Sequence, residues 1–266
     1  MSTVAQRRPF SVRLYLLIVF ALSWPFQIAY PFLGEVYRPI LLVSMVMAGV
    51  GTFICGRFVF RDGFARAGWS WGRPRHYVMA LGLALFLWLL PSVLERLFGI
   101  YVATTRTTLA GFLVVLLPSF ALTILPAFGE EFSWRGYLLP RLFERYSTKR
   151  ALLLHGFVTW VWHLPVVVLM GMEQGADPLV GIPVVMTISL VPTVMHAVVF
   201  AYFWSSSGSL AVVTFYHVAF DEIRDSLEGT IGLGPLGLNF QMVGLTVFGL
   251  MALFKAGWHG KNSSAG

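Results

Sequence analysis

Eight stretches of this chain are long and apolar: Leu14 to Leu33, Pro39 to Phe60, Tyr77 to Leu94, Leu109 to Phe128, Ala151 to Met170, Ile182 to Trp204, Leu210 to Phe220 and Leu236 to Phe254. Most reach the roughly 20 residues that a helix needs to cross hydrocarbon. Lipid cannot hydrogen-bond to the backbone, and the runs lack the alternating pattern of a barrel strand. The predicted fold is therefore an all-α, polytopic transmembrane helical bundle of about eight spans. Of the 266 residues 57% are hydrophobic and 12% charged, about half the charged share of an ordinary soluble domain. The longest polar stretch, Arg61 to His76, carries Trp69 and Trp71 and reads as an interfacial loop. The run after Leu210 stands apart, with about eleven apolar residues before Asp221, too few to span a bilayer. Either that helix stops short or Asp221 lies within the membrane.

The net charge of +7 is no mark of nucleic-acid binding, because its distribution follows the membrane. If each apolar run crosses once, 15 of the 19 Lys and Arg residues fall on the side of the N-terminus and 4 on the other (Arg38, Arg96, Arg106 and Arg224). The positive-inside rule then assigns both termini to the cytoplasm, and the basic loops suit anionic headgroups. The chain is expected to be a multi-pass protein of the cell membrane, with the lipid bilayer as its first partner. The string Gln6-Arg7-Arg8-Pro9-Phe10 suggests a twin-arginine export signal. The apolar run behind it is too long for one, no cleavage site follows, and further spans come after it. Cys55, the single cysteine, cannot form an intramolecular disulfide and reads as packing. No repeat of one half of the chain in the other is visible.

Charged groups in hydrocarbon cost at least a few kcal/mol each, so an intramembrane ionisable residue is by default a functional candidate. Three clusters qualify. In Gly129-Glu130-Glu131-Phe132-Ser133-Trp134-Arg135, Glu131 and Arg135 are four apart and pair on a helix, whereas Glu130 lies about 100° round and stays available. The rival reading puts both glutamates at the interface, with Pro126 ending the helix early. In Trp162-His163-Leu164-Pro165, His163 falls roughly 18 Å along its helix, although a lone buried histidine is more often structural. In His217-Val218-Ala219-Phe220-Asp221, the i,i+4 spacing puts an imidazole and a carboxylate on one face, where Asp221 can fix the tautomer of His217. A self-satisfied structural pair is the rival there. His155 and His196 are assigned to packing.

These three clusters resemble the signature of the CPBP intramembrane proteases, the CAAX protease and bacteriocin-processing family also called Abi: Glu-Glu-x-x-x-Arg, Phe-x-x-x-His and His-x-x-x-Asn or Asp on separate helices. The chain carries Glu130-Glu131-x-x-x-Arg135 followed by Gly136 and Tyr137, then His163 with Thr159 at the phenylalanine position, then His217-x-x-x-Asp221 in the acidic form. The resemblance covers roughly Leu109 to Glu222. It implies a catalytic core over 109–225, preceded by N-terminal helices (1–108) and followed by a C-terminal helix and tail (226–266).

The resemblance implies an endopeptidase acting on a membrane-associated protein or peptide, in which Glu130 activates a water shared with His163. Glu131 and Arg135 hold their helix, and His217 and residue 221 face the scissile carbonyl. An ionised Asp221 would repel an oxyanion, so it is either protonated or restricted to orienting His217. A third option is Zn²⁺ held by Glu130, His163, His217 and Asp221, whose nitrogen and oxygen donors suit that metal. The family is described both as metalloproteases and as metal-independent glutamate proteases. Position near the cytoplasmic end of its span suggests that Glu130 meets substrate from that side or laterally. The rivals are a transporter or proton relay, marked by a repeat or a broken-helix pair, and an inactive immunity scaffold indifferent to Glu130 and His163. Oligomeric state is not encoded in any of these features.

Overall fold

The computed structural model describes residues 9–33, 39–100, 108–173, 177–255 and 258. Arg7, Arg8, Arg38, Arg106 and Lys261, which enter the charge count, lie outside them. All eight apolar runs are helical, and no strand occurs among the described residues. The helices are α1 (Val12–Leu33), α2 (Ile40–Ile54), α3 (Pro74–Leu97), α4 (Leu109–Glu131), α5 (Leu139–Arg145), α6 (Thr148–Trp162), α7 (Leu164–Glu173), α8 (Pro178–Ser207), α9 (Leu210–Ile231) and α10 (Pro235–Phe254). Two π-helical segments continue α2 and α4: π1 (Cys55–Val59) and π2 (Phe132–Leu138).

Among the described residues six continuous helical runs are long and apolar enough to cross a membrane, and the bent pair of α6 and α7 makes a seventh if it forms one span. The eighth helix, α9, has 22 residues, as many as α1. Its charged stretch Asp221, Glu222, Arg224 and Asp225 removes it from the purely apolar set. The chain after Leu210 therefore does not stop short: Asp221 is midway along a full-length helix.

Helix α4 is the hub, packed between α2 and α9, while α8 gathers α6, α7 and α10. The approach of α2 to α4 is set by glycine. A Cβ on Gly129 would sit 2.9 Å from the Met45 carbonyl oxygen, and one on Gly49 would sit 2.8 Å from the Gly129 Cα. Small residues allow such backbone contact, which dispersion and packing stabilise where no hydrophobic effect operates between helices. Gly129 directly precedes Glu130, so this crossing fixes the depth of the first cluster. It lies level with the middle of Ile40–Val59, deeper than the cytoplasmic end of the span where the sequence puts it.

At one end of the bundle the 61–73 loop is tied to the adjoining helices. Asp62 accepts from Tyr137 Oη at 2.8 Å and from Arg141 Nη2 at 2.6 Å. Trp204 Nε1 donates to the Ala67 carbonyl at 2.9 Å, and Leu210 N to that of Gly68 at 2.8 Å. Trp69 and Trp71 remain exposed, as an interfacial loop requires. At the other end Glu95, a buried carboxylate the sequence does not single out, accepts from the backbone N–H groups of Leu236 and Gly237. Its negative charge caps the N-terminus of α10, a favourable placement for an anion.

Candidate active site

Pro126 does not end α4; the helix runs through it to Glu131 and passes into π2. Glu130, Glu131 and Arg135 are buried, at 3%, 0% and 1% exposure, so the interfacial reading of the two glutamates fails. A π-helical stretch misplaces carbonyls from the α-helical ladder and is frequent at functional sites. Here the Ser133 carbonyl accepts from Tyr15 Oη at 2.9 Å, and a hydroxyl cluster of Tyr15, Thr52 and Ser133 closes at 2.7–2.8 Å. Helices α1 and α2 thereby hold π2 in place.

Glu131 and Arg135 pair as their spacing predicts, Arg135 Nη1 donating to Oε1 at 2.9 Å. The same oxygen also takes His217 Nδ1 from α9, at 2.7 Å. The other ring nitrogen of His217, Nε2, lies 3.2 Å from Asp221 Oδ2. Arg224 Nη1 reaches Asp221 Oδ1 at 3.3 Å, and Arg224 Nε donates to Asp225 at 2.7 Å. One ionic chain thus runs Arg135, Glu131, His217, Asp221, Arg224 through the core. A neutral imidazole has one N–H to donate. With a carboxyl oxygen at each nitrogen, the geometry suits an imidazolium donating from both. The Arg135 guanidinium is further held over the Phe200 ring, 4.1 Å from its centroid, with His217 edge-on to that ring.

His163 occupies the break between α6 and α7, which meet at 53°. Pro165, the second residue of α7, cannot donate to the carbonyl four residues back, and its ring crowds that carbonyl. That carbonyl is Val161's; the Trp162 carbonyl beside the break accepts from Trp24 Nε1 at 3.0 Å, while Trp162 Nε1 donates to Ser23 at 2.7 Å. His163 Nδ1 lies 2.8 Å from the Thr159 carbonyl. A carbonyl only accepts, so Nδ1 carries the proton and Nε2 of the neutral ring keeps its lone pair. The backbone of residue 159 orients this histidine, which makes its side-chain identity less decisive than the motif suggests.

Glu130 is one residue from the ionic chain, close enough for its charge to act on His217 and Arg135. Among the described residues no hydrogen bond engages its carboxylate. Between α2, α4 and α9 a cavity of about 340 Å³ reaches Asp221 and Arg224, with Met45 and Thr123 in its walls. Met45 also lies against Gly129, so the cavity approaches Glu130 from the half of the bundle opposite the 61–73 loop. The sequence suggests access from the cytoplasmic side or laterally from the bilayer.

Several contributors escape sequence reasoning. Glu131 is a direct partner of His217, beyond its pairing with Arg135. Glu222 is buried and accepts from Thr123 of α4 at 2.5 Å, a contact with no local signature. Arg224 is legible in principle from its i,i+3 spacing to Asp221. His196, assigned to packing, has a named partner in Tyr216 Oη at 3.0 Å and packs against the Phe200 and Phe220 rings. His155 is fully buried beside Arg135 and the Trp134 backbone.

The zinc expectation meets a geometric obstacle. Among the described residues no three His, Cys, Asp or Glu side chains converge as metal ligands. Both His217 nitrogens face carboxylates and His163 Nδ1 faces Thr159, so Glu130, His163, His217 and Asp221 do not form a ligand set as they stand.

Residues 112–223 match the family model described as Type II CAAX prenyl endopeptidase Rce1-like. No curated protein matches the chain.

Proposed function

From the premise that this chain belongs, over residues 112–223, to the Rce1-like family of CAAX proteases, we propose that it hydrolyses a peptide bond of a membrane-associated substrate with water activated by Glu130. The observation that carries the reading is the contrast between adjacent glutamates: Glu131 is tied through Oε1 to both Arg135 and His217, whereas Glu130 is buried with neither of these partners. A general base needs a free lone pair within reach of water.

Glu130 takes a proton from the water as its oxygen attacks the scissile carbonyl carbon. His163 orients that water through the Nε2 lone pair. The developing oxyanion needs donors aimed at it, and the His217 imidazolium supplies one through Nε2 once Asp221 yields that position. Glu130 then delivers its proton to the leaving amine as the C–N bond breaks. Glu131 and Arg135 keep His217 charged and in place. An apolar groove of about 590 Å³ beside α4 and α9, lined by Trp69, Phe120, Phe128, Phe215 and Val218, favours a substrate with a hydrophobic segment.

The transporter reading asks for two broken helices matched between the halves of the chain; α6–α7 is a single break, without a counterpart among the described helices. The test is cleavage of a prenylated Cys-aliphatic-aliphatic-X peptide, and of its unprenylated counterpart, by the purified protein in nanodiscs. Wild type is expected to cleave at least one, and Glu130→Ala and His163→Ala neither. Equal behaviour of wild type and Glu130→Ala removes the protease reading. A chelator arm separates the metal option: unchanged cleavage excludes Zn²⁺, and loss restored by added Zn²⁺ establishes it.

A further inference from the structure

We infer that Arg224 is a positioning residue that makes an aspartate workable at position 221, by giving its carboxylate a second partner away from the oxyanion. This rests on the proteolytic reading above. The difficulty is electrostatic: Asp221 and a developing oxyanion compete for the same donor, His217 Nε2, and two negative charges there repel. The geometry offers the resolution. Asp221 divides its oxygens, Oδ2 towards His217 at 3.2 Å and Oδ1 towards Arg224 at 3.3 Å. On the other ring nitrogen, Glu131 sits closer, at 2.7 Å. The longer Asp221 contact is the weaker of the two, since charge-assisted N–H···O bonds favour about 2.7–2.9 Å.

Asp221 and Arg224 are also the accessible end of the chain of charges. Their side chains are 28% and 33% exposed and line the 340 Å³ cavity, whereas Glu131 and Arg135 are sealed at 0% and 1%. Arg224 is itself anchored by Asp225 at 2.7 Å, so it can receive the Asp221 carboxylate without leaving its helix. When a substrate carbonyl takes Nε2, Asp221 rotates fully onto Arg224. The imidazolium remains charged because Glu131 still holds Nδ1. An asparagine at 221 would need no such partner, since a neutral amide does not repel an oxyanion and can donate to it. Arg224 therefore belongs with the acidic form of the motif.

The test is a double-mutant cycle on the full chain in nanodiscs, with whichever of the two peptides wild type cleaves. Arg224→Gln is expected to lower kcat by about ten-fold or more while KM changes by less than about three-fold, the pattern of an interaction lost in the transition state. Arg224→Lys should recover most of that loss. Asp221→Asn sets its own level of kcat, and adding Arg224→Gln to it should lower kcat by less than about three-fold further, so that the two changes are strongly non-additive. An unaffected Arg224→Gln enzyme overturns the inference, and so does a further fall of about ten-fold when Arg224→Gln is added to Asp221→Asn.

Thermal unfolding of the same four proteins keeps the inference decidable if the wild type cleaves neither peptide, which would sink the protease reading alone. Arg224→Gln should then lower Tm and Asp221→Asn should restore it. Additive losses in Tm would show that Arg224 does not serve Asp221.

Discussion

Two neighbouring glutamates differ more in this protein than most unlike residues do. Glu131 is fully buried against two cationic partners, and Glu130, one position away, has none of these bonds. Removing one partner of a buried ion pair strands the other. Glu131→Gln is therefore expected to cost about 3–5 kcal/mol of stability, seen as a large fall in Tm. Glu130→Gln should leave Tm close to wild type while cleavage falls by at least about 10²-fold. The opposite pattern would exchange their roles. The sequence makes part of this legible, because Glu131 and Arg135 are spaced to pair on one helix and leave Glu130 out. It does not reveal the His217 contact to Glu131, which joins residues 86 apart in sequence and exists only once α4 and α9 pack. Thr123 with Glu222 is hidden for the same reason.

At the scale of elements, three irregularities build the site: the glycine crossing of α2 and α4, the π2 segment and the break at His163. Gly129→Ala places a Cβ 2.9 Å from the Met45 carbonyl oxygen and should destabilise by about 1–3 kcal/mol through strain. Gly82 on α3, where a Cβ meets nothing within 4 Å, is the control; Gly82→Ala should be neutral or stabilising, as helix propensity favours alanine by about 1 kcal/mol. Equal Tm shifts in the two variants would deny the crossing its role. The break is partly readable from Pro165, although the apolar run across it gives no hint of a bend. The length of α9 is not readable from hydropathy, which ends the run at Phe220. The helix continues because Asp221, Arg224 and Asp225 compensate one another and Thr123 takes Glu222.

At the scale of the molecule, the 61–73 loop is tied down at one end of the bundle, and the cavity beside Asp221 and Arg224 lies in the other half. The positive-inside assignment makes the end with the loop cytoplasmic. Trp71, 83% exposed on that loop, supplies a reporter: Trp71→Cys should react with a membrane-impermeant maleimide in inverted vesicles and not in intact cells. The native Cys55 is buried and should stay silent in both. Labelling in intact cells would invert the topology, and with it the side from which the cavity opens. The architecture as a whole was readable from the apolar runs, because lipid leaves the backbone few choices. Where the cavity beside Asp221 lies was not, since that depends on how side chains close over α4. The central claim is that water attacks the peptide carbonyl under the control of Glu130. Its most direct test is mass spectrometry of the products formed in H₂¹⁸O. The expected result is one ¹⁸O atom in the new carboxyl terminus with wild type and no product with Glu130→Gln. Labelled product at the wild-type rate from Glu130→Gln would contradict it.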